Sequence, residues 1–322
     1  MRERGFAIIP ILLVITLIFV ISFSIVKRSG ISIANLTSTN QPGSTAVPTV
    51  TVSPTPTPTL PPIPSPKPSV APKPSSTPTP TLKPVSGPPG SGLSTINVAT
   101  EKGNFTATVL SMDLSSTKVI TDSANDSDCG NDCSVLNLQT FVSRNAGFAG
   151  VNGTYFCPAA YPDCASKKNS FDFPIYNTRL NHWINGGNLF WNSRAMVYFD
   201  GGGAHYLQNA NSFSGSLTAG VVNYPGLIDG RNVQIDDNQS GLSDKQKAVG
   251  TKVGIGINGS SKVLVVVAKN VNMQQFAYVF KSLGATGALN LDTGGSTALY
   301  HGGRYVYGPG RDIPNAIIFA TK

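Results

Sequence analysis

NMQQFAYVFKSLGATGALNLDTGGS, residues 272–296, joins an apolar helical face to a short strand that ends in a polar, glycine-rich tip. Met273, Phe276, Ala277, Phe280 and Leu283 recur at helical spacing, Gly284 suits a helix stop, and GALNL reads as the strand. The same order occurs earlier, in SVLNLQTFVSRNAGFAGVNGTYF, residues 134–156. There Val135, Leu138, Phe141 and Val142 share a face, Gly147 follows, and FAGV leads into Asn152-Gly153-Thr154. Taken singly, each tip is a tight turn at a strand end. Taken as a pair, the tips offer glycines whose backbone N–H groups can face a ligand.

Further strands are expected at 106–112, 195–199, 253–257, 263–268 and 316–320. The run 263–267 is continuously apolar, which predicts a central strand covered on both faces. Strands interspersed with helices argue for an α+β domain, a mixed β-sheet with packed helices. Residues 95–322 are long enough to bury one sizeable core, so a single C-terminal domain is expected there.

The rest of the chain has a different composition. Residues 6–26 carry no charge and are long enough to span a bilayer. Lys27-Arg28 stands where a cleaved signal peptide needs small residues, which favours an uncleaved anchor over residues 1–30 with a short cytoplasmic N-terminus. Gly5-Phe6 before the apolar run also resembles a prepilin cleavage site, but Pro10 stands where such proteins usually carry a glutamate. Charge flanking is nearly tied, Arg2 and Arg4 before the span and Lys27 and Arg28 after it, so orientation follows from the remaining chain. Residues 31–94 hold 17 of the 24 prolines and form the expected disordered linker. Fully extended, such a linker reaches on the order of 190 Å, enough to act as a spacer. These features predict a single-pass cell-membrane protein with an extracytoplasmic, extracellular C-terminal domain.

The formal charge of +8 does not point to nucleic acid. Before residue 95 there are seven Lys/Arg against one Glu; afterwards there are 17 against 15 acids. No basic stripe with interleaved aromatics marks the folded part. All four cysteines lie there: Cys129, Cys133, Cys157 and Cys164. Their even count beside a membrane span fits two disulfides, with Cys129–Cys133 and Cys157–Cys164 the simplest of three pairings. Zinc is disfavoured because paired CxxC knuckles with nearby histidines are missing.

After residue 95 there is one glutamate, Glu101, and 14 aspartates, so carboxylate chemistry falls on Asp. Asp126, Asp128, Asp132, Asp236, Asp237 and Asp244 read as solvated loop residues, without an EF-hand spacing. His182, His205 and His301 form no HExxH set, and GxSxG is absent. No metal site and no cofactor is expected. Asp292 differs, because it follows an apolar strand and precedes Gly294, Gly295 and Ser296, a possible anion cradle. Arg311, just before the last strand, suits bidentate phosphate binding.

NGTYF (152–156), TKVGIGINGSSKVLVVVA (251–268), ALNLDTGGSTALY (288–300) and GRDIPNAIIF (310–319) together resemble the successive blocks of the phosphodiester glycosidase family. VNYPGLIDGRNV (222–233) falls where that family has a Gly/Pro-Leu turn. Lys252-Val253 replaces a more usual Arg-Thr, and Thr293 a more usual glycine; lysine keeps the charge but loses the planar fork. The resemblance implies a hydrolase that cleaves a glycosyl phosphodiester at the anomeric carbon, with a glycan or sugar-phosphate as substrate. It implies Asp292 as key carboxylate, Arg311 with Lys252 as phosphate clamp, and Asn152 orienting sugar or water. Gly294, Gly295 and Ser296 would supply donors, and Tyr155 and Phe156 a sugar platform. The competing functions are a non-catalytic polysaccharide-binding module and a structural envelope module on a membrane stalk.

Overall fold

Alternation along single strands builds the core. The run KVLVVVAKNV sends Val263, Val265 and Val267 into one apolar cluster and Leu264 and Val266 into another, as expected of a strand covered on both faces. NAIIFAT repeats the device: Ile317 and Phe319 face the first cluster, whereas Ala316, Ile318 and Ala320 face a third. The computed structural model describes residues 87–322 apart from 192–193, 237 and 239–240. The expected anchor at 6–26 and almost all of the 31–94 linker lie outside the described residues. Among those described, no helix is long and apolar enough to cross a membrane.

The strands form three sheets. The first runs β1 (Gly92–Thr100), β2 (Gly103–Asp113), β13 (Lys262–Val271), β12 (Gly250–Asn258), β14 (Gly287–Asn290), β10 (Gly226–Asp229) and β11 (Asn232–Val233). The second is β16 (Arg304–Tyr307), β15 (Leu299–His301), β4 (Ala149–Asn152), β17 (Asn315–Thr321) and β3 (Thr117–Ser123). The third is β6 (His182–Ile184), β5 (Ile175–Asn177), β9 (Ala219–Asn223), β7 (Ala195–Asp200) and β8 (Gly203–Leu207).

Every strand pairing in these sheets is antiparallel. The expected α+β class with a mixed sheet is therefore overturned: the domain is mostly β. The helices are three among the described residues: α1 (Leu138–Arg144), α2 (Asp244–Lys247) and α3 (Met273–Ser282). Several pairs close as hairpins, such as β12–β13 across Ser260 and Ser261, whereas β2–β13 and β3–β17 join strands distant in sequence, also antiparallel. In the third sheet the strand expected at 195–199 is joined by four short strands, β5, β6, β8 and β9, from the segment after the second cysteine pair.

The main cluster, with Leu110, Phe148, Val197, Val253, Leu289 and Phe319, draws side chains from all three sheets. Helix α3 covers the outer face of the first sheet through Phe276 and Phe280. A side chain at Gly254 or Gly256 would strike those rings, so the two glycines let the helix settle onto β12. Helix α1 covers the second sheet through Leu138, Phe141 and Val142.

Candidate active site

The two polar tips meet between the first and second sheets. Strand β14 ends at Asn290, and the buried Leu291 fixes the exit, its N–H donating to the Val253 carbonyl at 2.9 Å. Asp292 then donates its N–H to the Gly153 carbonyl at 2.9 Å and accepts from Asn152 Nδ2 on its own carbonyl at 2.7 Å. Asn152 Oδ1 takes the Ala298 N–H at 3.0 Å. Asn152 is fully buried, with both ends of its amide committed to backbone. It holds the Asp292 turn from behind and is not among the residues lining the cleft, with its amide spent on positioning Asp292 and not turned toward the cleft.

Three more asparagines at strand ends share this task. Asn223, ending β9, accepts from the Tyr155 N–H at 3.3 Å and donates to the Asn290 carbonyl at 2.8 Å. Asn290 Nδ2 donates to the Tyr155 hydroxyl at 2.8 Å. Asn315, opening β17, accepts from the Thr154 N–H at 2.8 Å and donates to its hydroxyl at 2.9 Å. All four are buried, and together they stitch the three sheets at one end. An isolated asparagine at a strand end reads as a turn residue, so the sequence signal for Asn223, Asn290 and Asn315 is weak.

In front of this scaffold lies a cleft of about 520 Å³. Asp292, Thr293, Gly294, Gly295 and Ser296 form one wall, Lys252 on β12 the floor beside it, and Arg311 the edge. Tyr155 and Phe156 line the cleft too, as expected, though Phe156 also packs against the core. Among the described residues Asp292 is its only lining carboxylate, against three cations: Lys245, Lys252 and Arg311. The surroundings therefore favour an anion.

Burial pushes the Asp292 carboxyl up to about 7, although the Ser296 hydroxyl, the Arg311 charge and the Thr293 N–H each favour its ionised form. At neutral pH this acid is thus poised between its two states, which suits proton transfer. Burial also pushes the Tyr155 hydroxyl up to about 12, so it stays protonated. Lys252 is itself buried, and its Nζ donates to the Lys245 carbonyl at 3.4 Å.

Arg311 sits in the loop before β17. Its N–H donates to the Gly295 carbonyl at 3.0 Å, and Nη2 donates to the Tyr161 hydroxyl at 3.2 Å. A side chain at Gly295 would overlap the guanidinium, so this glycine makes room for Arg311 to lie beside the turn. Gly294 takes a left-handed φ of 67° and begins a tight 3-10 turn through Ser296.

Tyr161, Lys245 and Gln246 were not expected here. Tyr161 stands in the loop closed by Cys157–Cys164, and Lys245 on the capped turn α2, where Ser243 and Gln246 form a capping box. The capping box is legible in SDKQ; the approach of this turn to the cleft is not. The remaining cysteines pair as Cys129–Cys133, so both simplest pairings are present and no cysteine is free among the described residues. No group of three or more His, Cys, Asp or Glu side chains suited to a metal occurs among the described residues.

A family model described as phosphodiester glycosidase matches residues 149–320, more than half of the chain. Among solved structures, the catalytic domain of zebrafish N-acetylglucosamine-1-phosphodiester alpha-N-acetylglucosaminidase, auto-inhibited by its pro-peptide, superposes with a TM-score of 0.56 at 13% identity. That match covers 75% of this chain and 89% of the zebrafish one. A hypothetical protein from Synechocystis superposes with a TM-score of 0.54 at 15% identity over 72% of this chain. The chain spans 62% of the length of that Synechocystis protein. At these identities the likeness is one of fold. No curated protein matches the chain.

Proposed function

We propose, from the premise that this chain belongs to the phosphodiester glycosidase family, that it is an extracytoplasmic hydrolase cleaving a sugar-1-phosphodiester of a surface glycan. The single observation that carries this reading is a carboxylate, poised near neutral pH, inside a cleft whose other charged lining residues, among those described, are all cations. A two-carboxylate arrangement would serve ordinary glycosides, whose alkoxide leaving group must be protonated. A phosphate leaving group departs as a stable anion, so fixed positive charge replaces the second acid.

The step balances without a cofactor. Water attacks the anomeric carbon and gives its proton to ionised Asp292. The bond from that carbon to the bridging oxygen breaks, and its electron pair stays on the phosphate, facing Arg311 and Lys252. A free sugar and a phosphomonoester leave. Tyr155 and Phe156 offer the sugar an aromatic wall. The location outside the cytoplasm rests on the apolar segment and proline-rich linker of the sequence, together with the two disulfides.

The test is a screen of the purified full chain against glycosyl-1-phosphodiesters, with release of sugar and phosphomonoester measured together. Turnover that disappears in Asp292→Asn with the fold intact supports the reading. Binding without turnover would instead make this a carbohydrate-binding module, and turnover surviving in Asp292→Asn would remove the proposed base.

A further inference from the structure

The cleft holds more positive charge than one diester needs. Arg311 is coupled to Asp292 and Lys252 lies buried beside it, so these two face the scissile phosphate. Lys245 stands farther out, exposed, on a turn with no assigned role. Its Nζ lies 4.9 Å from the centre of the Tyr161 ring, and the Arg311 guanidinium lies 5.0 Å from the same centre. Two cations sharing one ring are therefore no more than about 10 Å apart. Neither belongs to any ion pair among the described residues. Asp244, the neighbouring acid on α2, is exposed and does not line the cleft. The ring attracts both cations through its face, but it neutralises neither.

Two further facts fix the backbone positions from which the pair is presented. Tyr161, 41% exposed, is held in a loop closed by Cys157–Cys164. Lys245 is tethered through its own carbonyl, which accepts from the buried Lys252 ammonium at 3.4 Å. The outer cation is thus tied to the floor of the inner site.

We propose that Lys245, gathered beside Arg311 on Tyr161, forms an outer anion subsite that receives a second negative charge on the aglycone side of the scissile phosphate, with Arg311 lying between the two charges. The inference rests on the hydrolase reading and narrows its substrate class: a glycosyl phosphodiester whose aglycone is itself anionic, such as a polyol-phosphate chain. A neutral alcohol would leave Lys245 unopposed. A short polyol bridge between phosphates matches two positive groups that share one ring. Rim charges of this kind act mainly through ground-state binding, so KM carries the effect and salt weakens it.

The experiment uses the full chain and two aglycone probes, glycerol bisphosphate and glycerol monophosphate, with affinity measured by calorimetry at low and high salt. The bisphosphate should bind about three- to fivefold tighter than the monophosphate, as expected for one partly exposed charge contact. That preference should shrink at high salt, vanish in Lys245→Gln and persist in Lys245→Arg. Equal affinities, an unchanged preference in Lys245→Gln, or failure of both probes to bind would overturn the proposal. Hydrolysis of glycosyl phosphodiesters is read separately. A preference without hydrolysis sinks the enzyme and keeps the polyanion site; hydrolysis without a preference does the reverse.

Discussion

Asp292 is the residue on which pH should act. Its folded value, about 7, lies above the ordinary carboxylate value of 3.8, so the folded protein holds this proton longer than the unfolded chain does. The stability it contributes is intact below about pH 4 and is lost as pH rises through about 7. Asp292→Asn cannot ionise, so wild type should lose on the order of 4 kcal/mol relative to this variant between pH 4 and pH 8. Denaturant midpoints across that window check the sign; parallel profiles would show that Asp292 titrates normally. Activity should run the opposite way. The base form accumulates above about pH 7, so kcat/KM should rise through that value, and Asp292→Asn should lose about 10²- to 10⁴-fold. The phosphate clamp has its own test. Arg311→Ala should damage phosphodiester cleavage more than aryl glycoside cleavage, because the latter has no phosphate to hold. Lys252→Arg restores the planar fork at a site facing the cleft and should raise kcat/KM toward diesters; a loss would place the Lys252 contact with the Lys245 carbonyl above phosphate geometry in importance.

At the scale of elements, the Cys157–Cys164 loop and the Cys129–Cys133 loop make different predictions. Both close short stretches, so each should stabilise by about 2 kcal/mol in the chain-entropy view. Only the first carries Tyr161 into the cleft. The double variant Cys157→Ser/Cys164→Ser should therefore raise KM for anionic substrates several-fold beyond its loss of Tm. Cys129→Ser/Cys133→Ser should lower Tm by a similar amount with KM held, and steady-state kinetics on both separates the two. The two helix–strand units were legible for a physical reason: Leu138, Phe141 and Val142 and then Met273, Phe276 and Phe280 are apolar at helical spacing and all buried. Even there one detail differs. Gly284 has the expected left-handed φ of 80°, but after α1 it is Ala146, at 49°, that takes this conformation. Gly147 is instead required because a side chain would strike Ile318. The five strands expected at 106–112, 195–199, 253–257, 263–268 and 316–320 all exist, since long apolar or alternating runs survive any tertiary context. Short strands such as IYN and HWI were not legible, because three residues cannot display a period. Pairing direction was hidden for a related reason: it depends on hairpins closed by ordinary polar turns. The site was legible at Asp292, Arg311 and Lys252, where motif order carried it, and illegible at Lys245 and Tyr161, which only the folded loops bring in.

At the scale of the whole molecule, one buried carboxylate joins the second and third sheets. Asp122 on β3 is fully buried and takes Arg144 Nε at 2.7 Å, Asn145 Nδ2 at 2.7 Å and Asn177 Nδ2 at 3.2 Å, with Arg179 Nε at 3.8 Å. Removing it strands those donors, so Asp122→Ala should cost about 3–5 kcal/mol of global stability. Denaturant unfolding with an unchanged m-value would identify a shared cooperative unit, whereas a second transition would show that the third sheet melts alone. The asparagine clasp at the opposite level of description sets a chemical lifetime. Asn152 is followed by Gly153, a pair whose free chain cyclises when the glycine nitrogen attacks the side-chain amide carbon and expels ammonia. Folding blocks this, because the Gly153 N–H is held by the Asn315 carbonyl at 3.1 Å and both amide atoms of Asn152 are bonded. The product, an aspartate or its isomer, would place an unpaired charge in the most buried seam of the protein. Heating below Tm should leave the peptide intact by mass spectrometry, while brief unfolding should add the mass gain of deamidation and a matching fraction that never refolds. Ageing at this seam is thus counted in visits to the unfolded state, not in hours.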